Sequence, residues 1–444
     1  MTYIRIYPSR NNTIFKRING GQTEILGTVN TGKNPISEIT DGNTQSAFLM
    51  NFDISGILPR LTANTYTCNL KLWDSGQIFE PSITLKTVDL LYFEEEFIEG
   101  DGFTYLGVKA LPQASNWLER VTGSSWTPSQ PTYFDTKIID TMQLNSANED
   151  LFFEGIEASI ASAITNTVNP NFAIRISTNT ISDQTFTKFL FTRHTRTVFK
   201  PFLEFFIDDT IIDERLNTVA TIPANIFLLN ETGANFTGTL TNEIQDADAT
   251  VLFTPTINNP STGVYYVTVT PTAAMANTSL FDVWSIDGVP ITKNIIQVKS
   301  PNQVGVGKVN TENLFFYPTT SYLHQSIRKN DVVTFNVTSE VRGKGSVILT
   351  GYEYRIVSTN NFEIQPWTSV STYGNRLFFT VDTSYYYAPL EYEVFVRLKE
   401  GKSIKTSAMS YKFKLIADEA SHMQSLAANP YSNRDAGFKP NKYP

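Results

Sequence analysis

An all-β protein is predicted, assembled from three serial β-sandwiches and a C-terminal arm, and three observations predict it. Thr, Asn, Ser, Phe, Tyr, Val and Ile dominate the 444 residues while helix formers are sparse, a balance that favours sheet and turns. Short apolar runs alternate with period two, as in Phe48, Met50, Phe52 and Ile54 against Leu49, Asn51 and Asp53, the mark of a half-buried strand. Turn residues separate the runs at short intervals, Asn258-Asn259-Pro260 and Asp287-Gly288 among them. With 41% hydrophobic and 13% aromatic residues, the chain has ample material for packed cores.

The N-terminal module, residues 1–209, is predicted to be jelly-roll-like with one short helix. Tyr3 to Tyr7 opens it as a strand, and a long loop is expected from Gly20-Gly21 through Asp41-Gly42. Thr31-Gly32-Lys33-Asn34-Pro35 is turn chemistry and lacks the spaced glycines of a phosphate loop. Tyr66 to Trp73 returns after Pro59, and it carries the lone cysteine, Cys68, in alternation with Tyr66, Leu70 and Leu72, which places Cys68 on an apolar face. Ile83 to Phe93 reads as a further strand. Glu149 to Thr165 is the clearest helix, with Ile156, Ile160 and Ile164 at four-residue spacing and Asn169-Pro170 ending it. Phe172 to Ser177 is a strand. Phe186 to Thr192 and Phe202 to Ile207 read as the closing hairpin around the basic bend Arg193-His194-Thr195-Arg196.

Residues 210–218 read as a polar linker. Between 210 and 299, short strands at Ile226–Leu229, Val251–Phe253, Val264–Val269, Leu280–Ile286 and Ile291–Val298 follow, with Asp287-Gly288 as a hairpin turn. Residues 308–416 repeat the pattern at Val332–Val337, Leu349–Val357, Leu377–Val381, Tyr392–Leu398 and Met409–Leu415. Both modules resemble immunoglobulin-like domains, the later one also fibronectin type III modules. Residues 417–444 are polar, contain Pro430, Pro440 and Pro444, and show no periodicity. They are expected to be an extended arm that orders only against a neighbouring chain, with Pro430, Tyr431, Phe438 and Tyr443 as its contact residues.

Four segments in order carry a family resemblance. Phe48 to Trp73 is similar to the early strand, Phe-Asp corner and return strand of the DNRLRE β-sandwich domains. Asn116 to Pro131 (NWLERVTGSSWTPSQP) resembles their Trp-x-Glu segment, and Asp150 to Ser177 their short helix, Asn and strand. Phe186 to Asp209 resembles their C-terminal signature, with Thr192-Arg193-His194 where the family usually has Ser-Arg-Glu. The resemblance implies a β-sandwich over residues 1–209 and, as in bacterial surface proteins with this domain, an association with carbohydrate.

Three segments are candidate sites. The acidic stretch Glu94, Glu95, Glu96, Glu99 and Asp101 is either a solvated loop or a calcium site with Glu95, Glu99 and Asp101 as ligands, since hard cations collect carboxylate oxygens from loops. Trp117 and Trp126, set among polar residues, either stack on sugar rings or plug the end of a sandwich, the second being favoured by their apolar bulk. Arg193, His194 and Arg196 make an anion-binding bend, or His194 simply bonds locally.

Enzyme chemistry is not expected. His194, His324 and His422 lie in different segments, so no pair at metal-ligand spacing exists, and the nucleophile elbow and dinucleotide fingerprint are absent. With 35 basic and 43 acidic residues and no basic block, nucleic acid is not an expected partner. No run suits a bilayer span, and Met1 is followed at once by a strand rather than a charged and then apolar leader, so synthesis and assembly in the cytoplasm are expected. Serial β-modules rich in Asn, Thr and Tyr resemble the structural proteins of tailed phages. The expected function is therefore that of a non-enzymatic virion component of the collar, baseplate or tail-fibre attachment region, partnered by other virion proteins and by copies of itself, with no cofactor. The alternative is a carbohydrate-binding surface adhesin that uses the N-terminal sandwich on a host glycan.

Overall fold

The computed structural model describes residues 2–416 apart from 20–21, 25–29, 42–43, 77–85, 103–113, 129–131, 147, 178–185, 231, 302–312, 321–325, 343–344, 347–348, 350, 360–361, 387, 389 and 401–402. His324, His422 and the arm residues Pro430, Tyr431, Phe438 and Tyr443 therefore lie outside the described residues. Strands dominate, and the chain divides into two compact units, Ile4–Ile207 and a second that runs from Asp208 to the C-terminus and includes Met1–Tyr3.

In the first unit a four-stranded sheet has the order Thr2–Ile6, Phe202–Ile207, Tyr66–Leu72, Leu151–Phe153. A six-stranded sheet has the order Ile138–Gln143, Thr87–Phe93, Asn171–Ile176, Thr44–Phe52, Pro8–Asn19, Gln22–Glu24. Every residue of Asn171–Ile176 is buried, as a central strand covered on both faces requires. The helix is shorter than the isoleucine spacing suggests: Glu157–Thr165 is helical, while Leu151–Phe153 pairs with Tyr66–Leu72 as a strand. Cys68 is buried and unpaired, and burial raises its thiol pKa well above the ordinary value.

Two expectations are corrected here. The expected loop from 20 to 42 contains the strand Ile36–Thr40, and before it Pro8–Asn19 forms a strand of 12 residues paired along Thr44–Phe52. Its polar positions look like turn residues only because their partners are remote: Asn11 Nδ2 donates to the Gly32 carbonyl at 2.9 Å and Asn12 Nδ2 to that of Ser115 at 3.0 Å. Nor do the two late aromatic strands form a hairpin. Thr187–Phe191 pairs with Ile36–Thr40, and Phe202–Ile207 pairs with Tyr66–Leu72 in another sheet. The segment between them is too long for a tight hairpin turn, which leaves each strand to find its own partner.

The second unit contains two sandwiches with separate cores. In the earlier one, Thr218–Val219, Val289–Lys299, Ser279–Ile286, Leu240–Gln245 and Val251–Phe253 form one sheet, in that order. Ala224–Leu229, Val264–Val269 and Ile257–Ser261 form the other, and Trp284, Val267 and Ile296 are fully buried between them. The Asp287-Gly288 turn is present with positive φ at both residues, 49° and 79°, the type I′ geometry that Asp-Gly adopts readily. In the later sandwich, sheets of five and six strands enclose an aromatic core in which Tyr354 stacks on Phe379 at a 3.7 Å centroid distance. Tyr386, from the tyrosine triplet, is buried, and its hydroxyl donates to Gln365 at 3.0 Å.

Candidate functional site

Trp117 and Trp126 are core residues, 4% and 1% exposed, packed with Phe93, Tyr133 and Phe134. Trp126 Nε1 donates to the Asn116 carbonyl at 3.0 Å, so even its polar edge is turned inward. This corrects the sugar-platform reading: neither indole presents a face to solvent, because both rings are enclosed in an apolar cluster with Leu49, Phe93, Tyr133 and Phe134.

The acidic stretch is likewise spoken for by protein cations. Glu99 accepts from Arg193 through both oxygens at 2.8 and 3.1 Å, from Lys33 at 3.0 Å, from the Asn11 backbone N–H at 3.0 Å, and lies 3.0 Å from His194 Nε2. Burial alone would raise its pKa, but these hydrogen bonds and the Arg193 charge outweigh it and hold the carboxyl at about 2. Glu95 bonds the Tyr133 hydroxyl and faces Lys137 at 3.5 Å, while Asp101 stands exposed, 3.9 Å from Lys33. Glu95 thus turns to Tyr133 and Lys137 while Glu99 and Asp101 share Lys33, and among the described residues no group of three or more His, Cys, Asp or Glu is arranged around a common centre. Glu95, Glu99 and Asp101 therefore form no shared cation centre among the described residues. The glycines beside Glu99 serve close backbone approach: a Cβ on Gly32 would lie 2.0 Å from the Gly100 carbonyl oxygen. His194 accordingly bonds within the module.

A definite pH response follows. Because the Glu99 pKa falls on folding, its contribution is complete above about pH 4.5 and is lost as pH drops towards 2, a span worth roughly 3 kcal/mol. Glu99→Gln is expected to remove about that much from the first unit at pH 7, read by calorimetry, and to flatten its acid-side melting profile.

The arrangement with the clearest mechanical meaning lies in the second unit, where residues 210–218 are expected to be a polar linker. Residues 211–215 are instead a splint in which Asp213 and Arg215 are buried. Thr372 N donates to Ile211 O at 2.8 Å and Asp213 N to Thr372 O at 3.1 Å, so the segment pairs in parallel with the edge strand Ser371–Tyr373 of the later sandwich. At the next residue, Glu214 N donates to Asn225 O at 3.0 Å, and the Glu214 carboxylate accepts from Asn225 N at 2.8 Å, which caps the edge of Ala224–Leu229 in the earlier sandwich.

Side chains lock the splint. Arg215 Nε lies 2.7 Å from Asp213 Oδ2, and its Nη2 lies 3.7 Å from Asp282 Oδ2 and donates to the Phe227 carbonyl. Asp213 also accepts from Gly374 N at 2.9 Å, reaching the later sandwich, while Asp282 accepts from Trp284 Nε1 at 2.9 Å inside the earlier one. The Arg215 guanidinium sits 5.5 Å from the Tyr373 ring centroid. All three ionic side chains are almost fully buried. Burial pushes Asp282 up to about 6, with the Arg215 charge opposing, and raises Asp213 as well. Beside the splint an open groove of about 520 Å³ runs between Leu229 and Gly233 on one side and Tyr373, Arg376 and Phe378 on the other, with Arg376 its one charged lining residue among those described.

The sign of the Asp282 effect is opposite to that of Glu99. An acid whose pKa is raised on folding binds its proton more tightly when folded, so stability rises as pH falls through 6 towards 3.8. The gain is about 1 kcal/mol by pH 5 and about 3 kcal/mol in full. The second unit is expected to melt higher at pH 5 than at pH 7.5, and Asp282→Asn should abolish the difference.

No family model matches the chain, and no curated protein is similar to it. Among solved structures it is similar to the InvE adhesin of Yersinia pseudotuberculosis at 12% identity, over 44% of this chain and 56% of that one, with a TM-score of 0.16. It is similar to the FdeC adhesin of Escherichia coli at 9% identity over 46% and 61%, TM-score 0.19, and to domains 5-6 of the S-layer protein SbsC at 15% identity over 47% and 95%, TM-score 0.21. The chain thus spans less than two thirds of either adhesin structure, and at these TM-scores the likenesses carry no argument about its function.

Proposed function

We propose that the protein is a non-enzymatic structural component of a tailed-phage virion, in the collar, baseplate or tail-fibre attachment region, assembled in the host cytoplasm. Its work is to hold neighbouring subunits at fixed spacing through β-modules and a C-terminal arm. The observation that carries this reading is the splint at 211–215. It spends a buried Arg–Asp–Asp cluster and two strand edges on joining two sandwiches into one compact unit, as a part that transmits force needs and a flexible tether does not.

Mass spectrometry of purified particles tests the reading, with the protein expected at a fixed stoichiometry to the other virion proteins. Its absence from particles, together with binding of the full chain on a glycan array, would replace this reading with the adhesin alternative.

A further inference from the structure

The sheet built from Val289–Lys299, Ser279–Ile286, Leu240–Gln245 and Val251–Phe253 packs one face on the core around Trp284 and leaves the other uncovered. That outer face is unusually apolar. Ile295 is 48% exposed, Val251 46% and Ile291 42%, and Phe281 is half-buried beside them. The register sets two charges among these residues. Glu243 pairs with Val283, and Val283 with Lys293, so the carboxylate and the ammonium flank Val283 in one row across three strands. Two strand spacings separate them, roughly 10 Å. In the next row Gln245, Phe281 and Ile295 stand side by side, and the Lys293 ammonium lies 4.7 Å from the Phe281 ring centroid.

From this pattern we infer that the outer face is a docking surface for a second copy of the same chain. A twofold axis along the Ser279–Ile286 strand, lying in the plane between two such sheets, exchanges the strands on either side of it. Glu243 of each copy then faces Lys293 of the other, while Phe281 packs on its own equivalent. A twofold axis at right angles to the strands would set Glu243 on Glu243 and Lys293 on Lys293, so the charges select one orientation. Aligned sheets pack about 10 Å apart and roughly 30° from parallel, close enough for the Phe281 and Ile295 side chains to interdigitate. The inference deepens the structural reading above and rests on it only for what the contact is for.

Sedimentation equilibrium of the full chain across the micromolar range tests it, independently of whether the protein is found in particles. Reversible dimers are expected. Lys293→Glu places two like-charged pairs in the contact and should weaken association by roughly tenfold or more. Combining it with Glu243→Lys restores opposite charges in both pairs and should return the dissociation constant to within a few-fold of wild type. Ile295→Gln, on the exposed face, should weaken association without changing the melting temperature. A chain that stays monomeric throughout, a Lys293→Glu variant that associates as wild type does, or a double variant that fails to recover would each overturn the assignment.

Discussion

Replacing Arg215 by methionine is expected to lower the melting temperature of the second unit by roughly 10 °C, corresponding to a loss of about 3–5 kcal/mol. The magnitude comes from what is left behind. Asp213 and Asp282 are both fully buried, and Arg215 is the cation between them. Without it two carboxylates face a low-dielectric interior with no counter-charge, and the Phe227 carbonyl loses a donor. The same substitution made together with Asp213→Asn and Asp282→Asn should recover much of the loss, because a neutral cluster carries no uncompensated charge. Calorimetry on the full chain reads both results. A drop of under 2 °C for Arg215→Met would mean that the splint is held by its backbone pairing alone.

Trp126→Ala is expected to destabilise the first unit by a similar amount, about 3–5 kcal/mol, since it empties an indole-sized space in a packed core. The ring lies 5.0 Å from Tyr133, 5.8 Å from Phe93 and 5.9 Å from Phe134 between centroids, and its N–H holds the Asn116 carbonyl. Trp126→Phe should cost less, because the ring stack is largely kept. The pair of variants also separates the two meanings of this tryptophan. If Trp126→Ala melted as wild type does and lost only affinity for a glycan, the residue would be a platform and the core assignment would fail.

Local signals in the chain were read correctly where the cause is local. The period-two alternations at Tyr352–Ser358 and Leu390–Glu400 are strands, and Asp287-Gly288 is a hairpin turn, because side-chain direction and left-handed φ are set within a few residues. The isoleucine spacing marks the helix but not its start: Leu151–Phe153, inside the expected span, pairs instead with the remote strand Tyr66–Leu72.

The candidate sites were less legible. Glu99 gathers Asn11, Lys33, Arg193 and His194 from segments up to 95 positions away, and nothing at Glu99 itself marks it as the centre of that knot. Trp117 and Trp126 sit among polar neighbours that fold over them, so hydropathy around each indole is a poor guide to its burial. The splint was missed for the same kind of reason. Asp213, Glu214 and Arg215 have the composition of a solvated linker, and their burial depends on two sheet edges and on Asp282, some 67 positions later.

By itself, then, the sequence determined the β class, the positions of most strands and the tight turns, since these follow from backbone sterics and the two-residue repeat of side chains. Which strands pair, which charges meet and which surfaces remain open were decided only in three dimensions, because hydrogen-bond and ionic partners are selected by proximity after the chain has collapsed, and a polar residue looks the same in a sequence whether water or a buried counter-charge awaits it.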